Sequence, residues 1–295
     1  MLYIIWALIA EIGFTSVTLL NKKLRDAGVE TVSLLAIGVF ALPIWISILL
    51  LMTLNSTDIV LTSSYFFYVT TWVGLCFLAN FGGLFLFKFQ SLSENAEVGF
   101  GLTALMAMLS DFFFFDVYFN LTKIILISLC VSGGIILSHS RRHQKHLEYH
   151  IPVHQKIFAI LFLSVISTAM LITYKKGIQI QPHIFFHMAL THTLLFIVFG
   201  FLGWKKLLSH MSKNTFRKEF ILAIICLGTI AAITSSYAIG ALPLAFIVLF
   251  SLIRACTYAG YDLYTREIEL NKMTAFALFI IITSMIGIAF VHGAS

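Results

Sequence analysis

Residues 2–21, LYIIWALIAEIGFTSVTLLN, hold twenty positions and one charged side chain, Glu11. Twenty helical residues at 1.5 Å each cover about 30 Å, the thickness of a bilayer's hydrocarbon core. A helix also bonds its own backbone polar groups internally, as spanning hydrocarbon demands. Nine further stretches read the same way: 30–54, 65–88, 97–116, 121–140, 155–174, 183–204, 218–238, 242–264 and 272–292. The fold expected is an all-α polytopic membrane protein with ten transmembrane helices; only 116–120 separates the fourth span from the fifth, so nine spans also fit. Composition agrees. The chain is 60% hydrophobic and 11% charged, with mean hydropathy +0.98. A water-soluble domain carries roughly 25% charged residues, so this chain cannot cover a water-facing surface.

The longest polar connections are 140–154 and 205–218, and the first lies near mid-chain. The domain organisation expected is residues 1–140 as one five-helix repeat, 141–154 as a polar linker and 155–295 as a second repeat. The first span ends Thr18-Leu-Leu-Asn-Lys-Lys23 and the sixth ends Leu171-Ile-Thr-Tyr-Lys-Lys176. The fifth and tenth share small residues, Ser132-Gly-Gly134 against Ser284-Met-Ile-Gly287, which let transmembrane backbones approach closely. Five is odd, so two such halves enter the membrane in opposite directions. This 5+5 inverted repeat is common in secondary transporters and places a binding site near the midplane.

The net charge of +6 is scattered and predicts no nucleic-acid surface. Of the 19 Lys and Arg, fifteen follow odd-numbered spans, against Lys123, Lys175 and Lys176 on the other side. The positive-inside rule then places both termini outside the cytoplasm. The first stretch has no basic leader and no small-residue cleavage site, so it reads as a retained helix. Cys76, Cys130, Cys226 and Cys256 fall in apolar stretches without CxxC spacing, which suggests neither a disulfide framework nor a zinc ribbon.

The segment Trp6-Ala-Leu-Ile-Ala-Glu-Ile-Gly-Phe-Thr15 resembles the first helix of the small multidrug resistance transporters. There an Ala-Glu pair, followed shortly by Gly and Thr, carries the coupling carboxylate. Residues 93–137 are similar to the helix-four to helix-five pattern of the drug/metabolite transporter superfamily. Tyr237-Ala-Ile-Gly-Ala-Leu-Pro-Leu-Ala245 resembles the segment leading into helix nine. The length and five-plus-five plan resemble the superfamily's ten-helix, EamA-type members. Two positions depart from the pattern: Asp111 stands where relatives usually have Pro, and Arg254 stands near the equivalent place in the second half. The resemblance implies a bacterial inner-membrane carrier. Many ten-helix relatives keep both termini in the cytoplasm, against the charge count here.

Ionisable groups at a helix centre cost on the order of 2.5–3.5 kcal/mol, so they mark a partner or a task. Glu11 lies midway along the first span and fits either a coupling carboxyl, where a proton and a cationic substrate compete for one site, or a structural Glu bonded to a neighbouring helix; the coupling role is preferred. Asp111 and Arg254 lie mid-span in the fourth and ninth helices. They fit either a charged pair in a substrate cavity or a structural ion pair. Asn80, beside Gly82 and Gly83, fits substrate contact or an interhelical bond. Tyr258 and Tyr261 fit stacking on a cation near Arg254 or plain packing. His183 and His187 share a helix face, with His192 deeper; a cavity-lining role for His187 is preferred over a metal site, which needs further ligands. The linker region holds His139, His143, His146, His150 and His154, read as a solvated basic connection over a metal or pH sensor.

The function expected is secondary active transport of small organic solutes: amines, quaternary cations, amino acids or other metabolites. Proton coupling runs through Glu11 by alternating access. The partners are substrate, protons and the bilayer, with no cofactor and no metal, and a monomer suffices because one chain holds both halves. Nothing resembles a nucleotide-binding loop. Two alternatives belong to other classes. A metal-ion carrier would use the membrane histidines, and a lipid-modifying enzyme would need a nucleophile and acid/base cluster that only the linker histidines approach.

Overall fold

A computed structural model describes residues 2–56, 58–86, 92–140, 153–212, 218–264 and 271–293. Among them the chain is helical, with no strand. The order is α1 (Leu2–Asp26), α2 (Thr31–Ala36), a 3-10 segment (Ile37–Ala41), α3 (Leu42–Asn55), α4 (Ser63–Leu86), α5 (Leu92–Phe115), α6 (Leu121–Ser140), α7 (Val153–Ile180), α8 (Ile184–Ser212), α9 (Lys218–Ala241), α10 (Leu244–Tyr264) and α11 (Lys272–Gly293). Each stretch expected to span is therefore helical over most of its described residues. Linker residues 141–152 lie outside the described residues, and the side chains of His139 and His154 are likewise undescribed.

Among the described residues, six helical segments are long and apolar enough to cross a membrane: Leu2–Asp26, Thr31–Asn55, Ser63–Gly82, Leu161–Ile180, Ile184–Met211 and Lys218–Ala241. Apolar stretches also run through α5 (Leu102–Phe115), α6 (Leu121–Ile136), α10 (Leu244–Tyr258) and α11 (Lys272–Ser284). Large apolar side chains such as Leu54, Phe113 and Phe201 face outward. In water so much exposed apolar surface would drive aggregation; lipid solvates it. The protein is an integral membrane protein of several helices.

Local chemistry sets the breaks. Pro43, near the start of α3, lacks an N–H and crowds the carbonyl four residues back, and the 3-10 segment just before it takes up the kink. At the end of α1, Gly28 adopts φ +88. Its N–H bonds the Arg25 carbonyl, and the Val29 N–H bonds that of Leu24, the paired bonds of a Schellman cap. Val29 and Leu24 meet in one core cluster. Helix α5 stops similarly: Asp116 takes a left-handed φ of 53, and the Val117 N–H reaches the Asp111 carbonyl. The fourth and fifth expected spans are thus separate helices. Asn120 starts α6 by accepting the Lys123 N–H, and Asn271 starts α11 by accepting the Thr274 N–H.

The helices gather into two compact units that each mix the two sequence halves. One comprises Met1–Ile5, Gly82–Thr168 and Leu242–Ser295; the other comprises Trp6–Phe81 and Ala169–Ala241. In the first unit α5 packs along α10 and α6 along α11. A Cβ at Gly133 would lie 2.8 Å from Ile281, so this glycine lets α6 and α11 approach closely. In the second unit α1 lies against α9, where Trp6 stacks on Tyr237 and a Cβ at Gly13 would lie 2.8 Å from that of Ala231. Helices α2 and α3 lie along α8. Helix α4 meets α7 through Trp72 and Tyr174, with ring centroids 5.0 Å apart.

Candidate functional site

The second unit holds Glu11. The buried face of α1 runs through Ala7, Ala10, Glu11, Gly13 and Thr15, and Glu11 is 5% exposed. The Thr15 hydroxyl donates to the Glu11 backbone carbonyl at 2.6 Å, so Thr15 is bonded to its own helix one turn back. An acidic side chain thus lies on the buried face of a helix long and apolar enough to cross a membrane.

The same unit contains a continuous run of rings. Trp45 on α3 stacks on His192 of α8 at 4.7 Å; His192 meets Trp72 of α4 at 5.5 Å; Trp72 meets Tyr174 of α7 at 5.0 Å. Tyr174 meets His187 of α8 at 4.6 Å, and His187 meets Tyr65 of α4 at 5.6 Å. Hydrogen bonds thread this run. The Tyr65 hydroxyl lies 3.1 Å from His187 Nδ1, and the Tyr174 hydroxyl lies 2.6 Å from Ser236 Oγ on α9. His192 Nδ1 lies 2.9 Å from the Met188 carbonyl; a carbonyl only accepts, so that nitrogen carries the proton. Gly177 makes room for the imidazole of His187, since a Cβ there would sit 2.4 Å from it. His187 Nε2 and Trp45 Nε1 are buried and have no hydrogen-bond partner among the described residues.

Of the residues singled out from sequence, His187 belongs to this cluster, between Tyr174 and Tyr65, and is fully buried. Asn80 belongs to the same unit but is exposed, and its amide donates to the Cys76 carbonyl one turn back at 2.8 Å. His183 precedes α8, where its backbone N–H bonds the Gln181 side chain.

Asp111, Arg254 and Tyr258 lie in the other unit. Asp111 is fully buried, and its two carboxylate oxygens accept the Leu244 N–H at 2.9 Å and the Ala245 N–H at 2.8 Å. These N–H groups open α10 and have no partner within the helix. Asp111 thus caps α10 from α5, a role not foreseen in the sequence. Arg254 stands ten residues further along α10, about 15 Å by helical rise, and is half-buried; Tyr258 shares its face and is 2% exposed. Lys175 and Lys176 also fall elsewhere than expected. They lie inside α7, which continues to Ile180 because nothing breaks it before Pro182, and Lys175 is buried.

The rings of Trp45, Tyr65, Trp72 and Tyr174 were not foreseen as a group. Tyr65 and Trp72 stand seven apart, which places both on one face of α4. Nothing in one sequence indicates that α3, α7 and α8 bring their rings to that face.

The sequence matches no family model and no curated protein. Solved structures do match. One, described only as "Crystal structure of protein", has a TM-score of 0.64 over 97% of this chain and 96% of its own, at 13% identity. At that identity the likeness shows a shared fold.

Proposed function

We propose that the chain is a secondary active transporter of small organic solutes, of the ten-helix drug/metabolite transporter kind, coupled to protons through Glu11. The observation that carries this reading is a buried carboxyl in the interior of an apolar, membrane-length helix. It lies in the same compact unit as a cluster of buried polar rings. Intramembrane carboxyls are retained for ion and substrate pathways far more often than for packing.

The helix pairings support two related halves. With the ten expected spans numbered in order, the pairings between the two sequence halves include one with eight, two with seven, three with six, four with nine, five with ten, three with seven and two with eight. Replacing each span by its counterpart five places away returns the same set, as a two-fold relation between halves requires. The Asn caps of α6 and α11 fit the same relation. Sites in inverted repeats draw on both halves, and the ring run does so, with α3 and α4 from one and α7 and α8 from the other.

The test is flux into liposomes under an imposed pH gradient, across a panel of amines, quaternary cations, amino acids and neutral heterocycles. Gradient-driven uptake is expected for at least one solute, falling to the rate of protein-free liposomes in a folded Glu11→Gln protein. Full coupled uptake by Glu11→Gln would remove the coupling role from this carboxyl.

A further inference from the structure

We propose that the ring run in the second unit binds an uncharged, planar heteroaromatic solute that accepts a hydrogen bond from Trp45; this rests on the transporter reading and names the substrate class of that site. Three observations carry it.

The first is the ring run itself. Six side chains from four helices hold successive ring centroids 4.6–5.6 Å apart, within the range of favourable aromatic contact. A flat π-faced solute can enter such a series by replacing one ring–ring contact with two. An aliphatic solute would forfeit those contacts.

The second is the pair of polar atoms left over. Trp45 is 1% exposed and His187 fully buried, yet the Trp45 indole N–H and His187 Nε2 have no hydrogen-bond partner among the described residues. Leaving a buried donor unmet costs about 1–3 kcal/mol, so structures retain such groups where something else meets them. An indole nitrogen can only donate, so what meets it must carry an acceptor. A donor hydrogen aimed at a ligand repels a cation, and a quaternary ammonium has no lone pair to offer it. A ring nitrogen or carbonyl fits.

The third is accessible surface at His192. Trp45, Trp72 and Phe196 flank its ring, yet it is only half-buried. With its proton on Nδ1, neutral His192 leaves Nε2 as an acceptor. The Trp45 Nε1 atom has almost no accessible surface, so a ligand meets it when the stacked rings part; Trp45 then offers a donor and His192, the neighbour stacked against it, an acceptor. A ring edge carrying a lactam or a similar donor–acceptor pair complements both.

The experiment measures binding to the purified full chain in lipid nanodiscs by tryptophan fluorescence and equilibrium dialysis. The probes are 2-quinolone, naphthalene and methyl viologen. 2-Quinolone is flat, neutral and bears a lactam; naphthalene has the same shape without polar atoms; methyl viologen is flat and cationic. The expected result is 2-quinolone binding at least tenfold tighter than either other probe. Trp45→Phe, which keeps an aromatic ring and removes the N–H, should weaken 2-quinolone about tenfold and leave naphthalene unchanged. Trp204→Phe, at a partly exposed ring outside the run, should bind as the wild type does and certifies the folded state. Methyl viologen binding tightest, equal binding of 2-quinolone and naphthalene, an unaltered Trp45→Phe, or no binding of any probe would each overturn the proposal. The two readings fail separately. Trp45-dependent 2-quinolone binding with no gradient-driven flux of any panel solute would remove the transporter and leave the site; proton-driven flux of another solute, with 2-quinolone unbound, would do the reverse.

Discussion

In the unit built on α5, α6, α10 and α11, the buried carboxylate of Asp111 ends on two backbone N–H groups. In the unit built on α1 to α4, the inner half of α7, α8 and α9, buried polar side chains of Tyr65 and His187, and of Tyr174 and Ser236, bond to each other. The distinction has a physical consequence. A side chain fixed to backbone cannot be released without exposing part of a helix end, so it locks geometry. A bond between two side chains can be exchanged for a bond to a ligand by a change of rotamer.

The sharpest way to break the comparison is at Asp111. Asp111→Leu leaves the N–H groups of Leu244 and Ala245 buried without acceptors. At about 1–3 kcal/mol each, the loss is about 2–6 kcal/mol. Asp111→Asn keeps one acceptor oxygen and should lose less than half of that. Thermal unfolding in detergent, followed by the folded fraction on size exclusion, reads both. If Asp111→Leu melted with the wild type, the carboxylate would not be a structural cap, and a place in substrate binding would return to consideration.

A smaller effect is expected at Gly203 in the other unit. A Cβ there would lie 2.3 Å from the Val32 carbonyl oxygen and 2.7 Å from the Cβ of Ala36. Since one of these atoms is backbone, relief requires α2 and α8 to part. Gly203→Ala should cost about 1–3 kcal/mol by the overpacking rule. Gly74→Ala, where nothing lies within 4 Å, should be neutral or stabilising because alanine is the better helix former. Equal melting of the two variants would show that the α2–α8 seam yields readily.

Much of the secondary structure was legible because a lipid-spanning helix advertises itself by length and composition. That held even at the short break after Phe115, where Asp116 and Asn120 supply turn and cap chemistry. What the sequence left hidden depended on long-range pairing. Asp111 was visible as an odd charge, and its apparent partner was Arg254, the other odd charge. The structure gives it the end of α10, because unmet N–H groups at a helix start attract a carboxylate wherever they are buried. Backbone groups carry no letter in a sequence, so this partner could not be seen. Lys175 and Lys176 were assigned to a loop because charge usually ends a span, but lysine is a good helix former and α7 runs through them. The ring run was illegible for a third reason. In a chain with 29 Phe, 10 Tyr and 4 Trp, aromatic residues are too common for any subset to stand out before the helices are placed.

The smallest effect expected, and the finest probe of the contrast, is the coupling between Tyr174 and Ser236. Their hydroxyls lie 2.6 Å apart and both side chains are buried. Ser236 Oγ also reaches the Ala232 carbonyl one turn back at 2.8 Å, so it can donate there while accepting from Tyr174. Ser236→Ala and Tyr174→Phe should each cost about 0.5–1.5 kcal/mol of stability, and the double variant should cost less than their sum, because the shared bond is lost only once. Made in the presence and absence of 2-quinolone, the same cycle tests exchangeability. If the bond yields to a ligand, the coupling energy shrinks when the solute is bound; a coupling energy untouched by bound solute would make this hydroxyl pair as fixed as the Asp111 cap, and the contrast between the two units would fail at that point.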